Sequence, residues 1–174
     1  MNACDRTPSG NWRCVSESES HTEHLGGALA GLLRPGMVVA LIGELGAGKT
    51  RLVQAVAAAM GVDRRLVNSP TFVLVQEYDA PLRLYHFDAY RLGDVDEFRE
   101  LGAEELMTSG GVCLIEWADR VSDALPEDLL RIEIEITTPT SREFCFHGSG
   151  RQSSAVVAAL RGLLDRKSPG DRAE

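Results

Sequence analysis

No apolar run in this 174-residue chain reaches the roughly 18 residues that a membrane-spanning helix requires, and the N-terminus lacks the apolar core of a signal peptide. Both absences point to a cytoplasmic protein with no membrane role. Basic residues are scarce: 18 Lys and Arg stand against 26 Asp and Glu, for a net charge of -8. That balance excludes a protein that grips DNA or RNA over its whole surface. Of the four cysteines, Cys4, Cys14, Cys113 and Cys145, no two have the spacing of a zinc knuckle or a CxxC redox pair. Cys113 and Cys145 lie inside apolar runs and read as buried thiols without chemistry. Internal repeats and low-complexity tracts are missing too, which removes solenoids and fibres.

What is present is enough apolar material, 44% of residues, for one core. A chain of this size hides roughly 70% of its unfolded surface on folding. We read a single domain over residues 12–166 between polar tails at 1–11 and 167–174. Residues 12–17 alternate like a strand, and Ser20 with Glu23 resembles a capping box opening a helix over 21–33. A solid apolar strand at 37–42 runs through a glycine-rich stretch into a helix at 52–60. Strands at 72–78 and 82–87 flank a turn at Asp79, Ala80 and Pro81 and make a hairpin, so the sheet is expected to be mixed. Short helices follow at 94–101 and 103–107, a buried strand at 112–115 ending on Glu116, strands at 130–137 and 143–147, and a last amphipathic helix at 153–166.

Residues 43–50, GELGAGKT, satisfy the pattern G-x-x-x-x-G-K-[ST] between a strand and a helix. Gly46 and Gly48 allow the backbone to curl so that successive amide hydrogens face a phosphate, and the helix that starts near Lys49 adds the positive end of its dipole. The Lys49 ammonium has the reach for the β and γ phosphates, and the Thr50 hydroxyl suits magnesium, which takes few protein ligands beside phosphate and water. Leu45, Gly46, Ala47, Gly48, Lys49, Thr50 and Arg51 form the expected nucleotide-binding run. The carboxylate that completes such a metal site usually follows a buried strand, which makes Glu116 the second metal candidate, against the alternative of an ordinary strand-end charge. No Asn-Lys-x-Asp element is present to read guanine, which favours ATP.

Ser69, Pro70, Thr71 and Phe72 fit either a turn with proline second or a hydroxyl-bearing loop that senses a γ phosphate. Asp88, within YHFDAYRL at 85–92, can orient water or a metal-bound water, or merely pair with Arg91. Because an aspartate is a weak base near neutral pH, orientation is the role we expect of it. His86 reads as a structural histidine on an alternating strand, and Trp117 as a packing residue near the nucleotide.

With these blocks in order, the sequence resembles the TsaE (YjeE) family, small bacterial P-loop ATPases required for threonylcarbamoyladenosine in tRNA. The resemblance covers most of the chain and rests on GELGAGKT at 43–50, SPTF at 69–72, YHFDAYRL at 85–92 and LIEWADR at 114–120. It implies an α/β, P-loop NTPase-like three-layer fold with a mixed, mostly parallel sheet between helices. It also implies ATP hydrolysis with Mg2+, in complex with TsaB and TsaD, in forming the threonylcarbamoyl group on adenosine 37 of tRNAs reading ANN codons. The ligase chemistry belongs to TsaD, and tRNA is met mainly through the complex. By the resemblance Thr50 and Glu116 hold magnesium, Lys49, Asp88 and Glu116 are catalytic, and the SPTF loop with Thr71 responds to nucleotide state. Glu19, Thr22 and Arg142 match family positions near the nucleotide.

Glu44, Arg51 and Gln54 depart from the common residues at their positions without removing a phosphate or metal group. Slow turnover without partners is expected, since no arginine in these motifs is an obvious finger. A small-molecule kinase would need an Arg-rich lid, and no Arg cluster is evident. The third alternative is a nucleotide-binding scaffold without turnover.

Overall fold

The computed structural model describes residues 11–165. The tails assigned at 1–11 and 167–174 therefore lie outside the described residues, apart from Asn11, as does position 166. Seven strands form one sheet in the order β1-β7-β6-β2-β5-β4-β3. They are β1 (Asn11–Ser16), β2 (Val38–Ile42), β3 (Val75–Tyr78), β4 (Leu84–Asp88), β5 (Val112–Glu116), β6 (Leu130–Ile136) and β7 (Arg142–Gly148). β2 pairs in parallel with β5 and β6, and β5 with β4, while β3, β7 and β1 join antiparallel at the edges. Five of the seven strands thus point one way, with β3 and β7 reversed.

Helices α1 (Glu19–Ala30), α2 (Lys49–Ala59) and α5 (Arg151–Asp165) cover one face, and the short α3 (Val95–Glu100) and α4 (Ala103–Thr108) cover the other. The strand period of two sorts the core between these layers. Val39, Leu41 and Leu114 pack with Leu25, Leu52 and Val157, whereas Val38, Ala40, Cys113 and Ile115 pack with Phe98 and Met107. Among the described residues no helix is long and apolar enough to cross a membrane.

Several boundaries differ from those the sequence indicates. Ser18, not Ser20, caps α1: it has extended backbone and its hydroxyl accepts the His21 amide at 3.2 Å, while Ser20 already lies inside the first turn. The helix ends at Ala30, where the Leu32 amide turns back to the Leu29 carbonyl in an i→i−3 bond ahead of Pro35. β3 begins only at Val75, since Phe72 and Val73 stand exposed in a turn that the Leu74 amide closes on the Pro70 carbonyl at 2.6 Å. Cys145 is half-buried, not buried, because Phe144 and Phe146 take the inward positions of β7 and alternation turns the thiol outward. Cys113 is fully buried, which pushes its thiol up to about 12 and leaves it inert.

The cap of α5 comes from outside the helix. Asp128 accepts the amides of Gln152 at 2.9 Å and Ser153 at 3.1 Å. Burial alone would raise its carboxyl, but the hydrogen bonds from Ser153, Gln152 and Arg151 outweigh that and hold it below the ordinary 3.8. A carboxyl lowered by folding adds stability above its unfolded value and loses that contribution as acid protonates the folded form. Asp128→Ala is therefore expected to cost about 1 kcal/mol in urea denaturation at pH 7. The difference from wild type should close below pH 3.8.

Candidate nucleotide site

The glycine-rich loop leaves β2 and enters α2 with no intervening residue, so the first-turn amides of α2 have no helical partners and face the loop's concavity. Three glycines make the path possible, Gly46 among them at φ +80°. Gly43 (φ +156°) passes so close to β6 that a Cβ there would meet the Ile134 carbonyl oxygen at 2.5 Å, and Gly48 (φ +107°) turns left-handed into the helix. The Ala47 amide closes the loop on the Glu44 carbonyl at 3.1 Å. Arg142, at the start of β7, reaches across and donates from Nε to the Ala47 carbonyl at 3.0 Å and from Nη2 to that of Gly46 at 3.4 Å. The structure thus places Arg142 on the carbonyls of the loop. Leu45 projects into solvent from the loop's tip.

Lys49 is 4% exposed. Its ammonium donates to the Gly43 and Glu44 carbonyls at 2.7 and 2.9 Å and lies 3.6 Å from the centroid of the Trp117 ring. Burial lowers its pKa, and the nearby charges of Glu116, Asp88 and Asp119 work in the opposite direction. Thr50 donates to both Glu116 oxygens, at 2.7 and 2.9 Å. Glu116 is opposite Asp88 in the parallel β4–β5 register, and the Ala89 amide donates to the Glu116 carbonyl at 3.0 Å. Asp88 Oδ2 accepts the hydroxyls of Ser69 and of Thr71, the latter at 2.7 Å, and Oδ1 accepts the Tyr90 amide at 2.9 Å. The Asp88 bonds go to these groups, while the Arg91 guanidinium sits 4.4 Å from the centroid of the exposed Phe72 ring.

Glu19, Thr22 and Arg51 occupy the neighbouring α1–α2 seam. Arg51 forms an ion pair with Glu19 and lies 3.9 Å from Glu23, which also pairs with Arg64. The Thr22 hydroxyl is buried and shares a hydrogen bond of 2.8 Å with Ser16. A cavity of about 550 Å³ opens on the other side of the loop, lined by Glu44, Trp117, Asp119, Glu133 and Glu135 among others. Its carboxylates repel phosphate, which leaves the loop itself as the phosphate cradle.

Two features of the site were not legible in the motifs. Leu74 (φ +66°) and Trp117 (φ +57°) both adopt left-handed backbone that bulky residues rarely accept, one ahead of β3 and one directly after Glu116. His86, read as structural, donates from Nε2 to Glu116 Oε1 at 2.8 Å. The signal for it was the strand period: His86 and Asp88 are two apart on β4, so they share the face to which β5 turns Glu116.

Magnesium prefers a few oxygen donors plus phosphate and water, and a hydroxyl hydrogen-bonded to a buried carboxylate is such a donor set. Thr50 and Glu116 fit it, and among the described residues no cluster of three or more His, Cys, Asp or Glu offers a competing metal cage.

A glycine-rich loop on the central strand of a three-layer α/β sheet, with a buried lysine and two carboxylates beside it, defines the class. The family model of "Threonylcarbamoyl adenosine biosynthesis protein TsaE" matches residues 16–144. The tRNA threonylcarbamoyladenosine biosynthesis protein TsaE of Treponema pallidum is 41% identical over 131 residues, covering 75% of this chain and 96% of that protein. Its counterpart in Bacillus subtilis is 40% identical over 150 residues, covering 86% and 92%. The crystal structure of Bacillus subtilis YdiB superposes with a TM-score of 0.78 at 30% identity, over 91% of this chain and 99% of that one. The chain belongs to the TsaE family.

Proposed function

We propose that this chain is an ATPase of tRNA threonylcarbamoyladenosine biosynthesis, working with TsaB and TsaD and resetting their complex by binding and hydrolysing ATP with Mg2+. The observation that carries this reading is the convergence of Lys49, Thr50, Asp88 and Glu116 at one end of three adjacent elements, β4, β5 and the loop–α2 junction. The relatives' names supply the pathway. Lys49 leaves the carbonyls of Gly43 and Glu44 for the β and γ phosphates, while the loop amides hold the phosphate oxygens. Thr50 and Glu116 would hold the magnesium ion, which when bound would supply charge neutralisation to the phosphates. Asp88 orients water for attack on the γ phosphorus: a P–O bond forms from the water oxygen, the bond to the β–γ bridging oxygen breaks, and ADP, phosphate and a proton passed to solvent result.

Among the described residues Arg142 is occupied on the loop carbonyls, Arg120 on the Leu92 carbonyl and Arg91 on the Phe72 ring, so turnover is slow until a partner supplies what is missing. Phosphate release by the purified chain, alone and with purified TsaB and TsaD, tests this. An increase of about tenfold or more with both partners is expected. Fast release that the partners leave unchanged would overturn it, and label appearing on an added metabolite instead of in free phosphate would make the chain a kinase.

A further inference from the structure

His86 is fully buried, and its Nε2 lies 2.8 Å from Glu116 Oε1 in a hydrogen bond. The other ring nitrogen, Nδ1, is buried without a hydrogen-bond partner among the described residues. A buried imidazole with one nitrogen unsatisfied is an expensive way to fill space beneath a helix, and leucine would fill it without that cost. The carboxylate is an acceptor, so Nε2 carries the hydrogen and the tautomer is fixed. Glu116 Oε1 then takes two donors, His86 Nε2 at 2.8 Å and Thr50 Oγ1 at 2.7 Å, whereas Oε2 takes Thr50 alone at 2.9 Å. When the Thr50 hydroxyl turns its oxygen toward a cation, His86 is the donor that keeps the carboxylate from rotating. Groups in this outer position typically govern metal affinity as strongly as the ligands' own neighbours allow.

We propose that His86 is a positioning residue that holds Glu116 in the orientation in which it receives the divalent cation accompanying the nucleotide. This assignment rests on Glu116 being a metal ligand, and the test separates the two. A fluorescent ATP analogue is titrated into the full chain in EDTA and over a series of MgCl2 concentrations, for wild type, His86→Leu, His86→Gln and Glu116→Ala. In His86→Leu the Mg2+ concentration at half-maximal binding should rise about tenfold or more, while affinity in EDTA stays within about twofold of wild type. His86→Gln, whose amide nitrogen falls near the position of Nε2, should recover most of the loss. Electron paramagnetic resonance with Mn2+ in place of Mg2+ should show weaker metal retention in His86→Leu than in wild type.

An unchanged Mg2+ midpoint in His86→Leu, with Glu116→Ala shifted, would overturn the role of His86 and leave Glu116 as ligand. An unmoved midpoint in Glu116→Ala would overturn both. Loss of EDTA affinity and thermal stability together, not restored by Gln, would make His86 a packing residue. If leucine prevents folding, the ring nitrogens of wild-type His86 decide by 15N NMR: they should shift when Mg2+ is added to the nucleotide complex, and no shift would overturn the role.

Discussion

Lys49→Met is expected to weaken ATP binding by about a hundredfold or more, read as the dissociation constant of a fluorescent ATP analogue at fixed MgCl2. The wild-type ammonium is almost completely buried, and its pKa is lowered by burial in spite of Glu116, Asp88 and Asp119. Removing it takes away the buried ammonium that the loop carbonyls hold inside the site and leaves Asp88 and Glu116 facing an incoming polyphosphate. Like charges then oppose binding where an opposite charge had favoured it. Stability should move the other way. A lysine whose pKa falls on folding opposes folding in its charged form, and that opposition lessens only as pH rises from the lowered value toward the ordinary 10.5. Methionine fills the same channel without a charge, so the thermal midpoint of the variant should equal or exceed that of wild type. A variant that keeps ATP affinity within about threefold, or one that melts well below wild type, would refute the assignment.

The second large effect is on chemistry alone. Asp88→Asn should reduce single-turnover phosphate release by about a hundredfold or more, with ATP affinity near wild type. Asparagine retains the Oδ1 acceptor for the Tyr90 amide, and its amide group can still meet the Ser69 and Thr71 hydroxyls as a donor. The loop that these side chains tie down therefore stays in place, and only the charge that orients the water is lost. Release within about threefold of wild type would remove Asp88 from the reaction.

The central strands and the phosphate loop were legible because their causes are local. Four apolar residues before Glu116, and six before the loop, need no distant partner to become buried strands, and G-x-x-x-x-G-K-[ST] states its own geometry. The starts of α1 and α5 differ from the sequence pattern for opposite reasons. Two serines competed for the first, and the backbone angle that decides between them is not visible in composition. Asp128, which caps the second, stands 24 residues from its partner amide. Residues 72–74 look like strand by their side chains, yet the Pro70 carbonyl captures the Leu74 amide and holds them in a turn. In the site, Lys49, Thr50, Asp88 and Glu116 were named from motifs. The bond from His86 to Glu116 required knowing that β4 and β5 are neighbours in parallel register.

That register also fixes what in this molecule is able to move. Asp88 and Glu116 are paired across a backbone ladder in the middle of a seven-strand sheet, so the gap between the two carboxylates is set by strand spacing and not by any loop. They are a floor. The segment over them is held differently: it turns at Leu74, whose carbonyl accepts the Asp88 amide at 3.0 Å, presents Phe72 at 83% exposure beneath the Arg91 guanidinium, and has its Ser69 and Thr71 hydroxyls tethered to one oxygen, Oδ2 of Asp88. Whatever claims that oxygen competes with both hydroxyl tethers together, while the bond from the Asp88 amide to Leu74 keeps the far end of the segment on the sheet, so the roof is hinged there and free only at its Ser69–Thr71 end.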